Sequence, residues 1–559
     1  MSDKHPKTGH TPVDAGQCGA AHPETSMNRT EAKQPAMFEL EKDLPLSQSL
    51  IWARQREFYA RRGLEAWTAD NVPQFITNNP QIAEIYAQIV FEFLRDCMGH
   101  ERAGRQLSPE HPLRIVELGA ATGKFAYLFL RHLGPLLDRH GLAPRTVRYT
   151  MTDCSDAVVR SWPSNRFLAE FARTGVLDFA PFEAGQDASR LGSSGNSGAG
   201  PVVVIANYVF DSLPQDAFSF HDGQMDEFLV TTTAADQDEN AAAELPLAKH
   251  RLAFQSVPIG DSRYSDSKWN RVLEEYRQRL TQATVLFPSG ALSAISNLGR
   301  LSNGRMLVLA ADKGDVYEDT LALAQGPPAF EWHTADCFSL ITNFDAIGKA
   351  FRAEGGAALL PDKHASRLHI CGFVKGDAGE HFPRTETAYR ESQSRVGPDD
   401  VFALLSWLNS HMNEISVPQI LSTLRLTCWD PIALLRLFPV LGRQLRSAGA
   451  EREDLRAAVL RTWANHYPVT PDENVLAFDC GVILLELRFF EEAMQMFRAS
   501  EQALGPSAST SYNLGLCALG LERAEEALGF MKQACMLDPG FEPARRSREK
   551  LEVDNSGRR

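Results

Sequence analysis

Residues 115–130 read IVELGAATGKFAYLFL. β-Branched and apolar residues lead through Glu117 to Gly119 and Gly123, and from Lys124 the apolar positions recur every three or four residues. That pattern is a buried strand turning directly into an amphipathic helix. Glycine suits such a bend because the backbone must turn sharply and approach a ligand with no Cβ in the way. The helix that follows offers unpaired N–H groups and the positive end of its dipole. Glu117, Gly119, Ala120 and Gly123 are therefore the candidate cofactor turn. Two strand-to-helix glycines with no ligand remain the plain alternative.

Working outward, VRYTMTDCS (147–155) and PVVVIAN (201–207) are further short β-branched runs, separated by helical stretches. RMLVLAADKG (305–314) and LHICGFVK (368–375) add two more. Strands alternating with helices predict an α/β, Rossmann-like domain whose mostly parallel sheet is covered on both faces. The second run ends in Asp153, where a carboxylate can accept both ribose hydroxyls of a nucleoside. The next region, VLDFAPFEAGQDAS, offers Asp187 for an adenine edge. A phosphate-binding dinucleotide site shows G-x-G-x-x-G, whereas here an acid leads the spacing E-x-G-x-x-x-G, which favours S-adenosylmethionine over NAD. Glu117 then reads either as a contact to the cofactor's ammonium group or as a satisfied buried carboxylate. The two stretches 191–200 and 233–246 read as surface insertions.

The segment VELGAATGKFA, followed by ANYVFDSLPQDAF (206–218) and DGQMDEFLV, resembles the MidA-type protein methyltransferases, which include a mitochondrial assembly factor for respiratory complex I. Weaker matches are VPQFIT (72–77), AADKG (310–314) and the stretch from His333 to Phe344. The resemblance covers residues 50–375 and implies a class I methyltransferase fold with S-adenosylmethionine as cofactor. It further implies that Asn207 and Asp211 stand at the mouth of the fourth strand beside the transferred methyl group, with Tyr208 between them; Asn207 would also touch the cofactor. Two positions depart from the family pattern: Ala121 replaces the middle glycine of the turn, and Tyr208 replaces a glutamate. Loss of that glutamate counts against an arginine acceptor, whose proton is hard to remove. Asp211, Asp216 or Glu227 could substitute, with Asp216 read as a surface carboxylate. His333 reads as a loop cap or as a group acting on the acceptor, and Asn78 and Asn79 as turn or lid residues.

The C-terminal third has a different period. Gly481 and Gly515, like Ala493 and Ala527, stand one tetratricopeptide-repeat length apart. Residues 474–540 carry the clearest copies, inside a helical region expected over 401–555. Repeat arrays expose a binding face for another protein; the alternative is that these helices only cap the catalytic domain. The full organisation expected is a disordered tail (1–44), a helical lead-in or lid (45–110), the methyltransferase domain (111–375), a linker (376–400) and the repeats. At 559 residues several cores are required. A net charge of −14 argues against nucleic acid as the main partner. Nine scattered cysteines without zinc spacing and a polar N-terminus suggest reduced thiols, no metal, and the cytoplasm. No apolar run is long enough to insert in a membrane.

Three functions fit this reading: a protein methyltransferase whose repeats recruit the substrate, a cofactor-binding adaptor without turnover, and a small-molecule methyltransferase.

Overall fold

The structure is a computed structural model, and it describes residues 36–68, 76–100, 107–191, 200–236, 238–302, 304–362, 368–393, 397–445 and 449–556. The expectations placed on 1–35, on most of the Gly/Ser stretch 191–200 and on most of VPQFIT lie outside these residues.

The chain opens with β1 (Ala36–Pro45), α1 (Leu50–Arg62) and α2 (Pro80–Gly99). Strand β1 corrects the tail reading of 1–44 over its last residues, since Ala36 to Pro45 pair antiparallel with a later strand. Helix α2 starts where proline fits the first helical position and the Asn79 side chain accepts the Ile82 N–H at 3.1 Å. Asn79 is thus a helix cap.

The doubly wound part follows: β2 (Leu113–Leu118), α3 (Lys124–Arg139), β3 (Val147–Asp153), β4 (Leu177–Pro181) and β5 (Val202–Asn207). An insertion then adds β6 (Asp216–His221), β7 (Gln224–Asp236), β8 (Arg251–Pro258), α4 (Ser267–Arg279), β9 (Gln282–Phe287) and α5 (Ser289–Gly299). The chain returns through β10 (Met306–Asp315), α6 (Phe344–Ala353), β11 (Ala357–Leu359) and β12 (Leu368–Lys375).

The main sheet runs β11-β12-β10-β5-β2-β3-β4. Strands β2, β3, β4, β5 and β10 are parallel neighbours, and β12 is antiparallel between β10 and β11. The expected Rossmann-like α/β sheet is therefore present, as a mixed sheet. Strand β5 is apolar throughout because both faces are covered: Val203 and Ile205 join one core with α2 and α3, while Val202, Val204 and Ala206 join the other with β6, β9 and α5. The insertion and β1 together form a second, antiparallel sheet of β1, β6, β7, β8 and β9. Its strand β7 takes in Thr233–Asp236, which the sequence reading gave to a surface insertion.

The stretch read as a linker, 376–400, contains a docked helix. Pro383–Gln393 forms helix α7, held where the Thr385 N–H and hydroxyl both donate to Asp96 of α2, at 2.9 and 2.8 Å, and the Tyr389 hydroxyl donates to the Ile370 carbonyl at 2.6 Å. Beyond it consecutive helices pack to the end of the described chain. The last five are α8 (Leu476–Glu486), α9 (Phe490–Leu504), α10 (Ala508–Gly520), α11 (Ala524–Leu537) and α12 (Glu542–Ser556). A Cβ on Gly481 would lie 2.7 Å from the Phe497 ring, and one on Gly515 would lie 2.6 Å from Met531. Both glycines therefore let α8 and α10 press against the following helix, at places 34 residues apart in sequence. Among the described residues no helix is long and apolar enough to cross a membrane.

Candidate functional site

A hollow of about 570 Å³ lies where β2, β3, β4 and β5 end. Ligands of open α/β sheets bind outside the carboxyl ends of the strands, where the strand order reverses. Gly119 borders it just after β2 and Asp153 at the tip of β3, so the two residues first singled out face one space. Gly119 has φ +62, and a Cβ there would lie 3.3 Å from Val209 Cγ2. The Asp153 carboxylate accepts the Ala121 N–H at 3.2 Å and the Ser155 N–H at 2.9 Å. Burial pushes its pKa up while these N–H groups pull it back. The side chain at the tip of β3 thereby ties down the turn after β2.

Ala121, the departure from glycine, adopts φ +46. A left-handed conformation costs an alanine about 1–2 kcal/mol. It is held by the Asp153 contact and by the Trp162 indole N–H, which donates to the Ala121 carbonyl at 2.8 Å. The Ala120 N–H donates to the Thr152 carbonyl at 2.9 Å.

Two predicted cofactor contacts stand elsewhere. Glu117 is 5% exposed and does not border the hollow; it accepts the Tyr149 hydroxyl at 2.9 Å. Burial raises its pKa to about 8, against the pull of the Tyr149 hydrogen bond. Asp187 is on the surface, outside the hollow, and accepts the Ser189 N–H at 3.0 Å and its hydroxyl at 2.9 Å, as local turns of Asp do. The wall expected of it is made instead by Phe182, Glu183, Ala184 and Gly185 after β4.

Asn207 ends β5 and accepts the Tyr86 hydroxyl of α2 at 2.8 Å, away from the wall of the hollow. Tyr208 follows at φ +53, with its N–H donating to the Ala311 carbonyl at 2.9 Å. It borders both the hollow and a smaller side cavity, together with Tyr59 and Ser212. Asp211 lines that side cavity. Its backbone N–H donates to Asp312 at 3.0 Å, and the two buried carboxyls are hydrogen-bonded to each other. Burial raises both pKa values, and the Asp211 charge raises Asp312 further, so Asp312 holds the proton and donates it toward Asp211. Such a pair titrates as a unit. His333 accepts or donates to Ser339 at 2.9 Å on the same cavity's wall.

Residues 101–315 match a family model described as "Putative S-adenosyl-L-methionine-dependent methyltransferase". The match spans β2 to β10 and leaves out β1 and the α1 residues that border the hollow. The cofactor is S-adenosylmethionine. Among solved structures, a protein from Burkholderia thailandensis bound to S-adenosyl-homocysteine is 14% identical, covering 61% of this chain and 89% of its own, with a TM-score of 0.39. A second Burkholderia thailandensis structure is 13% identical, covering 61% and 97%, with a TM-score of 0.35. No curated protein matches the chain.

The residues present fit such a group. Gly119 leaves space where a side chain would intrude, Asp153 has lone pairs beyond those given to the turn, and Phe182 offers an apolar face. The lead-in or lid expected over 45–110 was not resolved into residues: Trp52, Gln55, Arg56 and Tyr59 of α1 border the hollow at i, i+3, i+4 and i+7 spacing, one helical face. That periodicity was the available signal. Sequence reasoning missed Asp216, read as a surface carboxylate but 1% exposed, which accepts the Tyr264 hydroxyl at 2.7 Å on the far wall. Glu227 is committed to Arg263, with two contacts of 2.8 Å.

Proposed function

We propose that the chain is an active S-adenosylmethionine-dependent methyltransferase acting on a protein. The reading rests on one observation: the hollow bordered by Gly119 and Asp153 shares Tyr59, Tyr208 and Ser212 with the side cavity lined by Asp211, the partner of Asp312. Cofactor and proton acceptor then stand on either side of Tyr208. Gly119, Ala120 and Gly123 form the cofactor turn, and Asp153 takes the ribose hydroxyls. Phe182 and its neighbours replace Asp187 at the adenine, and Glu117 serves by joining β2 to β3.

When bound, the cofactor supplies a methyl group already activated on a sulfonium, so alignment of the acceptor is the main demand on the protein. Tyr208 and Tyr59 flank the path of the acceptor. Asp211, unprotonated above its raised pKa, takes the proton that an N–H or O–H nucleophile gives up. Asn207 holds α2 in place through Tyr86 and acts on the cofactor only indirectly. The 34-residue spacing of the Gly481 and Gly515 contacts supports reading the C-terminal helices as tetratricopeptide repeats that recruit the protein acceptor.

Incubating the full chain with methyl-labelled cofactor and lysate proteins tests this. A labelled protein band, lost in Asp211→Asn, is the expected result. Label in small molecules alone contradicts the protein acceptor, and cofactor binding with no transfer at all would leave an adaptor.

A further inference from the structure

The cofactor turn has two sides. Gly119 faces the hollow, but Gly123 faces the helical region. A Cβ on Gly123, at φ +80, would lie 3.2 Å from the Tyr467 hydroxyl oxygen and 2.8 Å from Met151. Tyr467 is 2% exposed and its hydroxyl donates to the Thr122 carbonyl at 2.5 Å while accepting from the Asn165 amide at 2.7 Å. Its ring packs on Tyr127 of α3, at 5.3 Å between centroids, and on Phe167 at 5.1 Å. A loop that follows the helix Arg452–Ala464 thus holds the middle of the turn by its backbone.

The next residue of the turn is held as well. Lys124 begins α3 and is 4% exposed. A buried cation at a helix N-terminus is unfavourable, because the dipole there is positive. The Glu473 carboxylate, from the same helical region, stands 3.6 Å from its ammonium group. The buried Asp430 carboxyl faces Lys124 too, and that cation counters the upward push of burial on its pKa. The charge that Lys124 brings to the turn is therefore balanced from the C-terminal region, by Glu473 and Asp430.

We propose that Tyr467 and Glu473 are positioning residues of the cofactor turn: the site is complete only with the helical region docked, so cofactor binding and docking strengthen one another. This rests on the reading of Gly119–Gly123 as the cofactor turn. The coupling is reciprocal by linkage, so anything that pulls the loop 465–475 away weakens the cofactor and bound cofactor tightens the loop. A partner captured by the helices would thereby reach the methyl donor without touching it.

The probe is S-adenosylhomocysteine, titrated calorimetrically into the full chain, with Tyr467→Phe, Glu473→Gln and Tyr389→Phe in parallel. Tyr389→Phe is the control, since it removes another buried hydroxyl donated to a backbone carbonyl, at 2.6 Å, remote from the turn. One net hydrogen bond corresponds to roughly a 3- to 10-fold change in dissociation constant. Tyr467→Phe and Glu473→Gln are expected to weaken the ligand by that factor, and Tyr389→Phe to lower the melting temperature with the affinity unchanged. Hydrogen exchange on the unmutated protein supplies a reading that needs no variant: added ligand should slow exchange in 463–475 as well as in 119–124. Wild-type affinity in both variants, or exchange slowed only in 119–124, overturns the coupling alone. Failure of the wild-type chain to bind the probe overturns the cofactor-turn reading and the coupling with it.

Discussion

Ala121 carries left-handed strain that a glycine would not. Replacing it is expected to stabilise the protein by about 1 kcal/mol, because the steric cost at φ +46 disappears while both backbone contacts remain. A rise in denaturation midpoint without a change in slope would check this. The acid pair makes a kinetic prediction. Burial raises the Asp211 pKa to about 6, so methyl transfer should rise with pH through that value as Asp211 loses its proton while Asp312 keeps its own. Asp211→Asn should remove the rising limb and lower the rate by roughly 10²- to 10⁴-fold. A pH–rate profile of the two proteins decides it. Single letters were a partial guide here. Glycine and acid at the strand tips were readable because few residue types fit such a bend. That Glu117 is spent on Tyr149 and Asp187 on Ser189 was not, since a carboxylate looks the same whether it meets a ligand, a phenol or its own turn.

At the level of elements, the parallel sheet was legible from its β-branched runs. The inserted sheet was legible in part and missed: Asp222 and Gly223, both at positive φ, join β6 to β7 as a two-residue hairpin, and D-G between strands is a strong signal for that turn. Burial along β7 alternates accordingly. Strand β1 gave less warning, because its partner in β7 lies almost two hundred residues away and its own polar residues resemble a tail. Helix α7 was hidden for the same reason: its polar surface read as a linker until Asp96 accounted for Thr385. In the C-terminal helices, the repeat spacing found both close contacts. Gly481→Leu should push α8 off α9, since even a Cβ would sit 2.7 Å from the Phe497 ring. Overpacking of this kind costs about 1–3 kcal/mol, readable by thermal unfolding.

Across the whole molecule, the join between the two regions was invisible in sequence: Tyr467 and Thr122 are 345 residues apart. It has a pH dependence of its own. His466 stacks on Trp463 at 4.6 Å, and burial, with Arg166 and Lys124 nearby, lowers its pKa to about 4. It is neutral when docked, whereas an exposed histidine titrates near 6.5. Between those values the undocked chain binds more protons, so docking is at full strength above about pH 6.5 and weakens as pH falls toward 4. The loss is up to about 3 kcal/mol. Trp463 fluorescence during denaturation at pH 7.5 and pH 5 should show this in the wild-type protein and much less in His466→Gln. The proposed function rests on the hollow bordered by Gly119 and Asp153, and direct titration of S-adenosylmethionine into the full chain and into Gly119→Arg tests whether it takes the cofactor. Saturable binding at one site per chain and none in the variant, with the helical region's unfolding unchanged, is the expected result; equal affinity in both proteins, or no binding by the wild type, would overturn the cofactor reading.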